Sequence, residues 1–276
     1  MNADNIATLA VRALVTEACV TPKPGLVDRA NNGAHSDMDI FTFLDSAVSL
    51  QPYFRDVTSY SMEYPGKPRH LLDALEPIGL RAERDMLRAT NGVNTHKGAI
   101  FSLGVLCAAS GRLMVSGDNL TAKTLSRMCA DIASARVRGA TSGATNGEAA
   151  YARHGIRGII GEAAAGFPAV FGTALPVLVG HTRHGASLND AAVSALLHLI
   201  ATVDDTNVVA RRGVDVLYST KKSVGAKISA FTGTPPYLAY AAELDAQFTA
   251  ENISPGGCAD LLAAALFSYF LIGWHS

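Results

Sequence analysis

The sequence has few charged residues and no excess of positive charge. Charged residues make up 17% of the chain, and 23 lysines and arginines are balanced by 24 aspartates and glutamates. Proteins that bind nucleic acids normally carry a clear basic excess, so this class is disfavoured. Apolar residues make up 49% of the chain, enough for a large core and against disorder.

Cysteines are scarce and widely separated. The four cysteines show no CxxC spacing, so neither a disulfide framework nor a zinc site is expected. Scattered free cysteines are typical of a reducing compartment, and we therefore expect a cytoplasmic protein.

Long hydrophobic runs are also missing. The most apolar run, residues 261–274, is shorter than the roughly 20 residues that span a bilayer. Residues 1–18 read as an amphipathic helix, without the basic leader and apolar block of a secretion signal. The expectation is a protein that does not associate with membranes.

Two common nucleotide-binding motifs and the pattern of β-strands are absent. The chain contains neither GxxxxGK[ST] nor a GxGxxG between a strand and a helix. Helical periodicity recurs almost everywhere, and alternating β-branched runs are rare. We predict an all-α fold, one multi-helix domain over residues 1–276 with short loops. The predicted helices are 4–18, 38–56, 69–90, 97–114, 121–138, 145–154, 167–180, 187–203, 208–219, 236–251 and 255–272. Side chains suited to cap helix starts are Asp4, Asp37, Thr121, Ser187 and Ser254.

Three predicted helices carry a carboxylate on their apolar stripe. Glu17, Asp85 and Asp260 each continue a row of apolar residues spaced three or four positions apart. A carboxylate that faces a core must pair, lose its charge or bind a metal.

Carboxylates from distant helices and loops therefore suggest a shared cation. Oxygen ligands without a partnering cysteine favour Mg²⁺ over zinc. Separate buried ion pairs remain the alternative, because the stripes do not show that the groups meet. The candidate metal ligands are Glu17, Asp28, Asp85, Asp205 and Asp260.

Three segments place cations beside polar residues at loop ends. The first holds Lys23 and Arg29, the second runs from Asn94 to Lys97 where a helix begins, and the third runs from Asp205 to Arg211. A helix start offers free N–H groups and suits an anion. Ordinary turns, caps and solvated helix ends are the alternative interpretation. His96 is the histidine best placed to contact a substrate.

Six segments in order along the chain resemble the triphosphoribosyl-dephospho-coenzyme A synthase family. They are PKPGLVDRANNGAHSDM (22–38), EPIGLRAERDM (76–86), GVNTHKGAIFSLG (92–104), GEAAAGFP (161–168), DTNVVARRG (205–213) and SPGGCADLL (254–262). The segments look closer to the branch that serves citrate lyase than to the branch that serves malonate decarboxylase.

The resemblance implies an all-α enzyme that uses ATP, 3′-dephospho-CoA and Mg²⁺. The ribose 2′-hydroxyl of dephospho-CoA would attack the anomeric carbon of ATP, and adenine would leave while the triphosphate stays intact. The α-linked product of the family implies a single inverting displacement. The product would pass to the acyl-carrier-protein transferase of citrate lyase. A homodimer is one possible assembly, and the sequence leaves the oligomeric state open.

The residue roles that follow are hypotheses within this cluster. We expect Asp37 or Glu17 to act as the base towards the hydroxyl and His96 or Asp85 as the acid towards adenine. The residues expected to bind substrate are Lys23, Arg29, His35, Asn94, Thr95, Lys97, Asn207 and Arg211.

Two other functions fit parts of the pattern. A Mg²⁺-dependent all-α hydrolase of ADP-ribose-like N-glycosides would use the same acidic residues with water as the acceptor. A scaffold of stacked helices would need neither inward carboxylates nor cationic loops. Dependence of adenine release on dephospho-CoA would separate the transferase from the hydrolase.

Overall fold

The computed structural model describes residues 1–135, 146–231 and 236–273, and every regular element in these ranges is helical. A 3₁₀ turn, Pro68–His70, precedes α4, and a π-helical segment, Ala169–Ala174, precedes α9. The helices are α1 Ala3–Cys19, α2 Ile40–Ser49, α3 Gln51–Glu63, α4 Leu71–Ala89, α5 Lys97–Ser116, α6 Ala122–Ala133, α7 Asn146–His154, α8 Gly158–Ala164, α9 Leu175–Arg183, α10 Leu188–Thr202, α11 Thr206–Arg212, α12 Val214–Ser229, α13 Tyr237–Ala250 and α14 Gly256–Gly273.

The predicted all-α class is confirmed, while several helix boundaries are wrong. The predicted helix 38–56 is two helices, because Pro52 at the start of α3 cannot donate a hydrogen bond to α2. The predicted helix 208–219 is broken at Gly213, whose φ of 87° is a glycine conformation. Helix α8 was not predicted, and positions 136–138 and 145 lie outside the described residues.

The predicted N-caps at Thr121 and Ser187 are confirmed by side-chain bonds to the third residue after each. The cap of α1 is Asn2 instead of Asp4. The cap of α2 is Asp39, whose carboxylate accepts from the backbone N–H of Thr42 at 2.9 Å. Asp37 was the wrong choice because it lies outside this turn.

Helix α5 lies at the centre of the core and is buried on nearly every side. It packs against α3, α6 and α14. Gly104 allows the closest approach, since a Cβ there would lie 2.1 Å from the hydroxyl oxygen of Tyr53. Tyr53 in turn donates to the Ile100 carbonyl at 2.9 Å, which ties α3 to α5.

Two helices, α5 and α14, are long and apolar enough by length and composition to cross a membrane. Two bent pairs, Gly158–Ala164 with Ala169–Arg183 and Leu188–Thr202 with Thr206–Arg212, meet the same test. Within the apolar windows of α5 and α14, 72% and 61% of the residues are buried inside the protein. Their apolar faces are therefore largely used for packing against other helices.

Candidate active site

A cleft of about 980 Å³ lies where the N-termini of α5, α8, α11 and α14 come together. Its apolar wall includes Phe101, Ile156 and Leu261. Its polar wall contains two cations, Lys97 and Arg157, and five carboxylates. The carboxylates are Glu83, Glu162, Asp204, Asp205 and Asp260.

Asp205 connects the starts of α11 and α14. Its Oδ1 accepts from the backbone N–H groups of Asn207 at 2.8 Å and Val208 at 3.3 Å. Its Oδ2 accepts from the Cys258 N–H at 2.8 Å. Burial raises the pKa of Asp205, and these backbone donors only partly oppose that shift.

Asp260 lies against the first turn of α5. A Cβ at Gly98 would lie 1.9 Å from its Oδ2, so only glycine fits there without a displacement. The pKa of Asp260 is raised well above its usual value by burial and then by the charges of Glu17 and Asp205. The charged form of Asp260 is therefore unfavourable in this environment.

Glu17 is already neutralised within the protein. Its Oε1 accepts from Lys23 Nζ at 2.6 Å, and both side chains are almost fully buried. Neither residue lines the cleft among the described residues, although Glu17 still raises the pKa of Asp260. The predicted direct contact of Lys23 with substrate and of Glu17 with a hydroxyl would require this pair to open.

Asp28 organises the opening loop, residues 20–39. Its Oδ1 accepts from the backbone N–H groups of Ala30 and Asn31 at 2.6 and 3.0 Å. Its Oδ2 accepts from the Lys23 N–H at 3.0 Å. Asp28 is not among the residues that line the cleft, unlike Asp205, so it braces the loop at a place separate from the carboxylates with which it was predicted to share a metal.

His96 is buried, and it is not among the residues that line the cleft although its neighbour Lys97 is. Its Nδ1 lies 2.7 Å from Ser46 Oγ, which also accepts from the hydroxyl of Thr95 at 2.7 Å. Burial, with the charge of Lys23, lowers the pKa of His96 to about 3. A neutral imidazole cannot give up a proton as an imidazolium would at neutral pH, so His96 is poorly suited to the predicted role of acid.

Asp85 lies at the edge of the buried face of α4 and not within the core, so the stripe argument was wrong here. Its side chain is 39% exposed and pairs with Arg88 at 3.2 Å. The buried face of α4 contains Leu75, Ala82 and Met86, and Asp85 lies at the edge of it. The nearby residue that does line the cleft is Glu83, whose Oε2 lies 3.0 Å from Lys97 Nζ.

The other predicted loop residues lie outside the cleft lining. The side chain of Asp37 is 62% exposed, 3.8 Å from His35. His35 bonds Ser254 Oγ at 2.9 Å and lies beside Arg211, which donates to the Ala34 carbonyl. Arg29 donates to Asn189 at 3.3 Å. The predicted site residues that do line the cleft are Asn94, Lys97, Asn207, Asp205 and Asp260.

The predicted cluster of five metal-binding carboxylates is not assembled. Among residues 1–135, 146–231 and 236–273, no group of three or more His, Cys, Asp or Glu side chains is arranged to hold a metal ion. Asp205 and Asp260 come together, whereas Asp28 and Asp85 have other partners. A metal in the cleft would therefore need ligands from a substrate.

Four charged residues of the cleft lining were not singled out from the sequence: Glu83, Arg157, Glu162 and Asp204. Glu162 lies within GEAAAGFP, one of the segments that carry the family resemblance, and this membership was the available signal. Asp204 immediately precedes Asp205 and forms a close ion pair with Lys221. Nothing in the local periodicity distinguishes Glu83 or Arg157 from ordinary surface charges.

Comparisons with known proteins agree with the fold and the motifs. The family model described as CitG: ATP:dephospho-CoA triphosphoribosyl transferase matches residues 3–276. A Pectobacterium atrosepticum protein named 2-(5''-triphosphoribosyl)-3'-dephosphocoenzyme-A synthase is 41% identical over 262 residues, covering 93% of this chain and 86% of its own. A Pectobacterium carotovorum relative, named as a probable synthase of the same kind, is 42% identical over 267 residues, with the same coverage of both chains.

A solved structure supports the fold alone. The crystal structure of an Archaeoglobus fulgidus protein, assigned there as a triphosphoribosyl-dephospho-coA synthase, aligns with a TM-score of 0.53 at 19% identity. The alignment covers 84% of this chain and 99% of the other. On the family match and the identity to its relatives, this chain belongs to the ATP:dephospho-CoA triphosphoribosyl transferase family and is a transferase.

Proposed function

We propose that this protein transfers the triphosphoribosyl group of ATP to the 2′-hydroxyl of 3′-dephospho-CoA and releases adenine. Family membership supports this reaction, and the observation that carries it here is the charge arrangement of the cleft. Carboxylates with raised pKa values face cations across one cavity at the starts of several helices. Such a site suits a polyanion that arrives with a cation.

The triphosphate would lie against Lys97 and Arg157. Lys97 begins α5 and Arg157 directly precedes α8, so each cation lies at the positive end of a helix, which adds to its charge. Contacts to the unreacting triphosphate would fix the ribose in position for attack, which lowers the barrier without cleaving the phosphates.

Asp205 and Asp260 fit the role of Mg²⁺ ligands, together with phosphate oxygens. Their mutual repulsion and raised pKa values mean that a divalent cation would stabilise the charged forms. Mg²⁺ commonly takes one or two carboxylates plus substrate phosphates, which agrees with the small number of protein oxygens here. When bound, the ion would neutralise the triphosphate.

The reacting ribose would then lie beside the cleft carboxylates that do not bind the metal ion. Positive charge develops at the anomeric carbon as adenine departs, and carboxylates beside it stabilise that charge. The proton of the attacking hydroxyl leaves to a basic group of the cleft. A single displacement with inversion requires the 2′-hydroxyl to attack the face of the anomeric carbon that is opposite to the departing adenine.

Arg211 is proposed to bind a phosphate of dephospho-CoA at the rim. Its guanidinium is oriented by neutral acceptors, the Ala34 carbonyl and Asn252 Oδ1, at 3.0 and 2.8 Å. Within the described part of the chain, no carboxylate lies within 4.0 Å of it, so its charge remains available. The last turn of α11 that holds it follows directly from the cleft residues Thr206 and Asn207.

The test is adenine release by purified protein given ATP, Mg²⁺ and 3′-dephospho-CoA, with the nucleotide product weighed by mass spectrometry. Asp260→Asn should lower turnover by about 100-fold or more, since it removes a charge used in the transition state. It should also weaken Mg²⁺-dependent ATP binding in calorimetry. Asp85→Asn is the matched control, because that carboxylate faces solvent.

Adenine release that does not need dephospho-CoA would favour the N-glycoside hydrolase instead. Absence of nucleotide binding would favour a scaffold. The link to citrate lyase is proposed from the motif resemblance, and it predicts that the acyl-carrier-protein transferase of that enzyme uses the product. A product that this transferase does not accept would contradict the link.

A further inference from the structure

The turn that follows α8 is held together by one cleft residue, Glu162. Its backbone carbonyl accepts from the Phe167 N–H at 2.7 Å. Its side-chain Oε2 accepts from the Ala169 N–H at 3.0 Å. One carboxylate oxygen therefore anchors the turn, and the other has no hydrogen-bond partner among the described residues while the side chain lines the cleft.

The backbone of this turn is strained. Gly166 and Phe167 both have positive φ, 79° and 56°, and a bulky residue such as phenylalanine rarely adopts that region. The π-helical segment Ala169–Ala174 follows at once. Strained turns and π-helical insertions both concentrate at functional sites. The fold therefore maintains an unfavourable backbone where Glu162 meets the cavity.

The charge environment of Glu162 differs from that of the other cleft carboxylates. Glu83 is paired with Lys97, and Asp204 with Lys221, so each already has a cationic partner. Glu162 makes no ion pair with any residue that the structure describes. Burial raises its pKa, and only the Ala169 N–H opposes this. Asp205 and Asp260 are proposed above as ligands of the metal ion, so Glu162 is the remaining cleft carboxylate without a cationic partner among the described residues, and it can carry a proton to give up.

The proposed reaction, on which this inference rests, needs such a proton. Adenine is a poor leaving group as an anion, and it leaves readily when a ring nitrogen is protonated. We propose that Glu162 is the general acid that protonates the departing adenine.

The step balances in atoms and electrons. The bond between the anomeric carbon and adenine breaks. Its electron pair goes to adenine, and a ring nitrogen of adenine takes the proton of Glu162. The 2′-oxygen of dephospho-CoA bonds to the anomeric carbon, and its own proton passes to an ionised carboxylate of the cleft, which then releases it to solvent. Solvent then returns a proton to Glu162.

Glu162→Gln tests this role while the turn stays intact. The amide oxygen of glutamine can still accept from the Ala169 N–H, but the amide has no acidic proton. We expect single-turnover adenine release to fall by about 100-fold or more, within the usual range for general acids. The Kd for ATP should stay within about threefold and the Tm within a few degrees of the unchanged protein. Glu243→Gln, an exposed change on α13, is the matched control.

Two results would overturn the proposal. One is a fall in the single-turnover adenine release of Glu162→Gln that is clearly smaller than about 100-fold. The other is a loss that follows the Tm or the affinity for ATP, which would assign the carboxylate to the turn alone. Failure of the proposed function itself looks different, because the unchanged protein would then release no adenine in response to dephospho-CoA.

Discussion

The opening loop and the cleft are both rich in charged residues, yet they use charge in opposite ways. In the loop, Asp28 receives three backbone donors and Lys23 is buried against Glu17. In the cleft, burial raises the pKa of Asp260, and the charges of Glu17 behind the cleft lining and of Asp205 raise it further. Buried charges that have partners within the protein hold the fold together. Like charges that lie close together without such partners favour the binding of a ligand of opposite charge.

Breaking the buried pair of the loop should give the largest effect on stability. Lys23→Met leaves Glu17 charged and unpaired, which typically costs about 3–5 kcal/mol. Urea unfolding would measure this loss. Lys97→Met is the control, because its pair with Glu83 is partly exposed and is worth about 1 kcal/mol or less.

A companion variant separates charge from shape in the loop. Glu17→Gln together with Lys23→Met removes both charges and should recover much of the lost free energy of unfolding. The account of the loop as a satisfied network would be wrong if Lys23→Met cost no more than Lys97→Met.

Lowering the pH should reduce the stability of the fold through the buried His96. The pKa of His96 falls from 6.5 to about 3 in the fold, so the unfolded chain binds a proton first as pH drops. The free energy of unfolding is then lost progressively from about pH 6.5 down to pH 3, by roughly 2–4 kcal/mol.

His96→Gln should flatten this part of the pH profile. Glutamine can still form a hydrogen bond with Ser46 but does not titrate. The difference in free energy of unfolding between the variant and the unchanged protein should therefore shrink as the pH falls. Urea unfolding at several pH values below 7 would measure it. Parallel profiles for the two proteins would show that His96 is not held neutral by burial.

A methyl group at the cleft should have a smaller effect on stability and a clear effect on activity. Gly98→Ala would place a Cβ 1.9 Å from Asp260 Oδ2, so the carboxylate must move, at about 1–3 kcal/mol. Thermal unfolding and adenine release would both be measured. In Gly79→Ala, the control on α4, the new Cβ meets nothing within 4 Å and should stabilise the helix by up to about 1 kcal/mol. Equal turnover in the two variants would contradict the position assigned to Asp260.

Much of the fold could be predicted because helix formation is largely local. Apolar spacing predicted most helices, and the caps at Thr121 and Ser187 followed from side chains that bond nearby N–H groups. The break at Leu50 and the short helix α8 were missed, since single turns depend on a proline or on packing more than on periodicity.

The site was predicted only in part, for a physical reason that Asp85 and Asp260 illustrate. Both continue an apolar stripe, but Asp85 lies at the edge of its helix face and pairs with Arg88 in solvent. Asp260 lies between helix starts that the sequence places far apart. Periodicity assigns a residue to a face within some tens of degrees, which is too coarse to separate these cases.

The sequence by itself determined an all-α protein, its family and the segments that carry its polar groups, because these depend on local patterns and composition. Tertiary structure alone decided that Lys23 is buried against Glu17, that Asp205 meets Asp260, and that Glu162 lines the same cleft. The reason is distance along the chain. Burial and charge repulsion depend on which helix ends pack together, and this arrangement depends on the packing of the whole core.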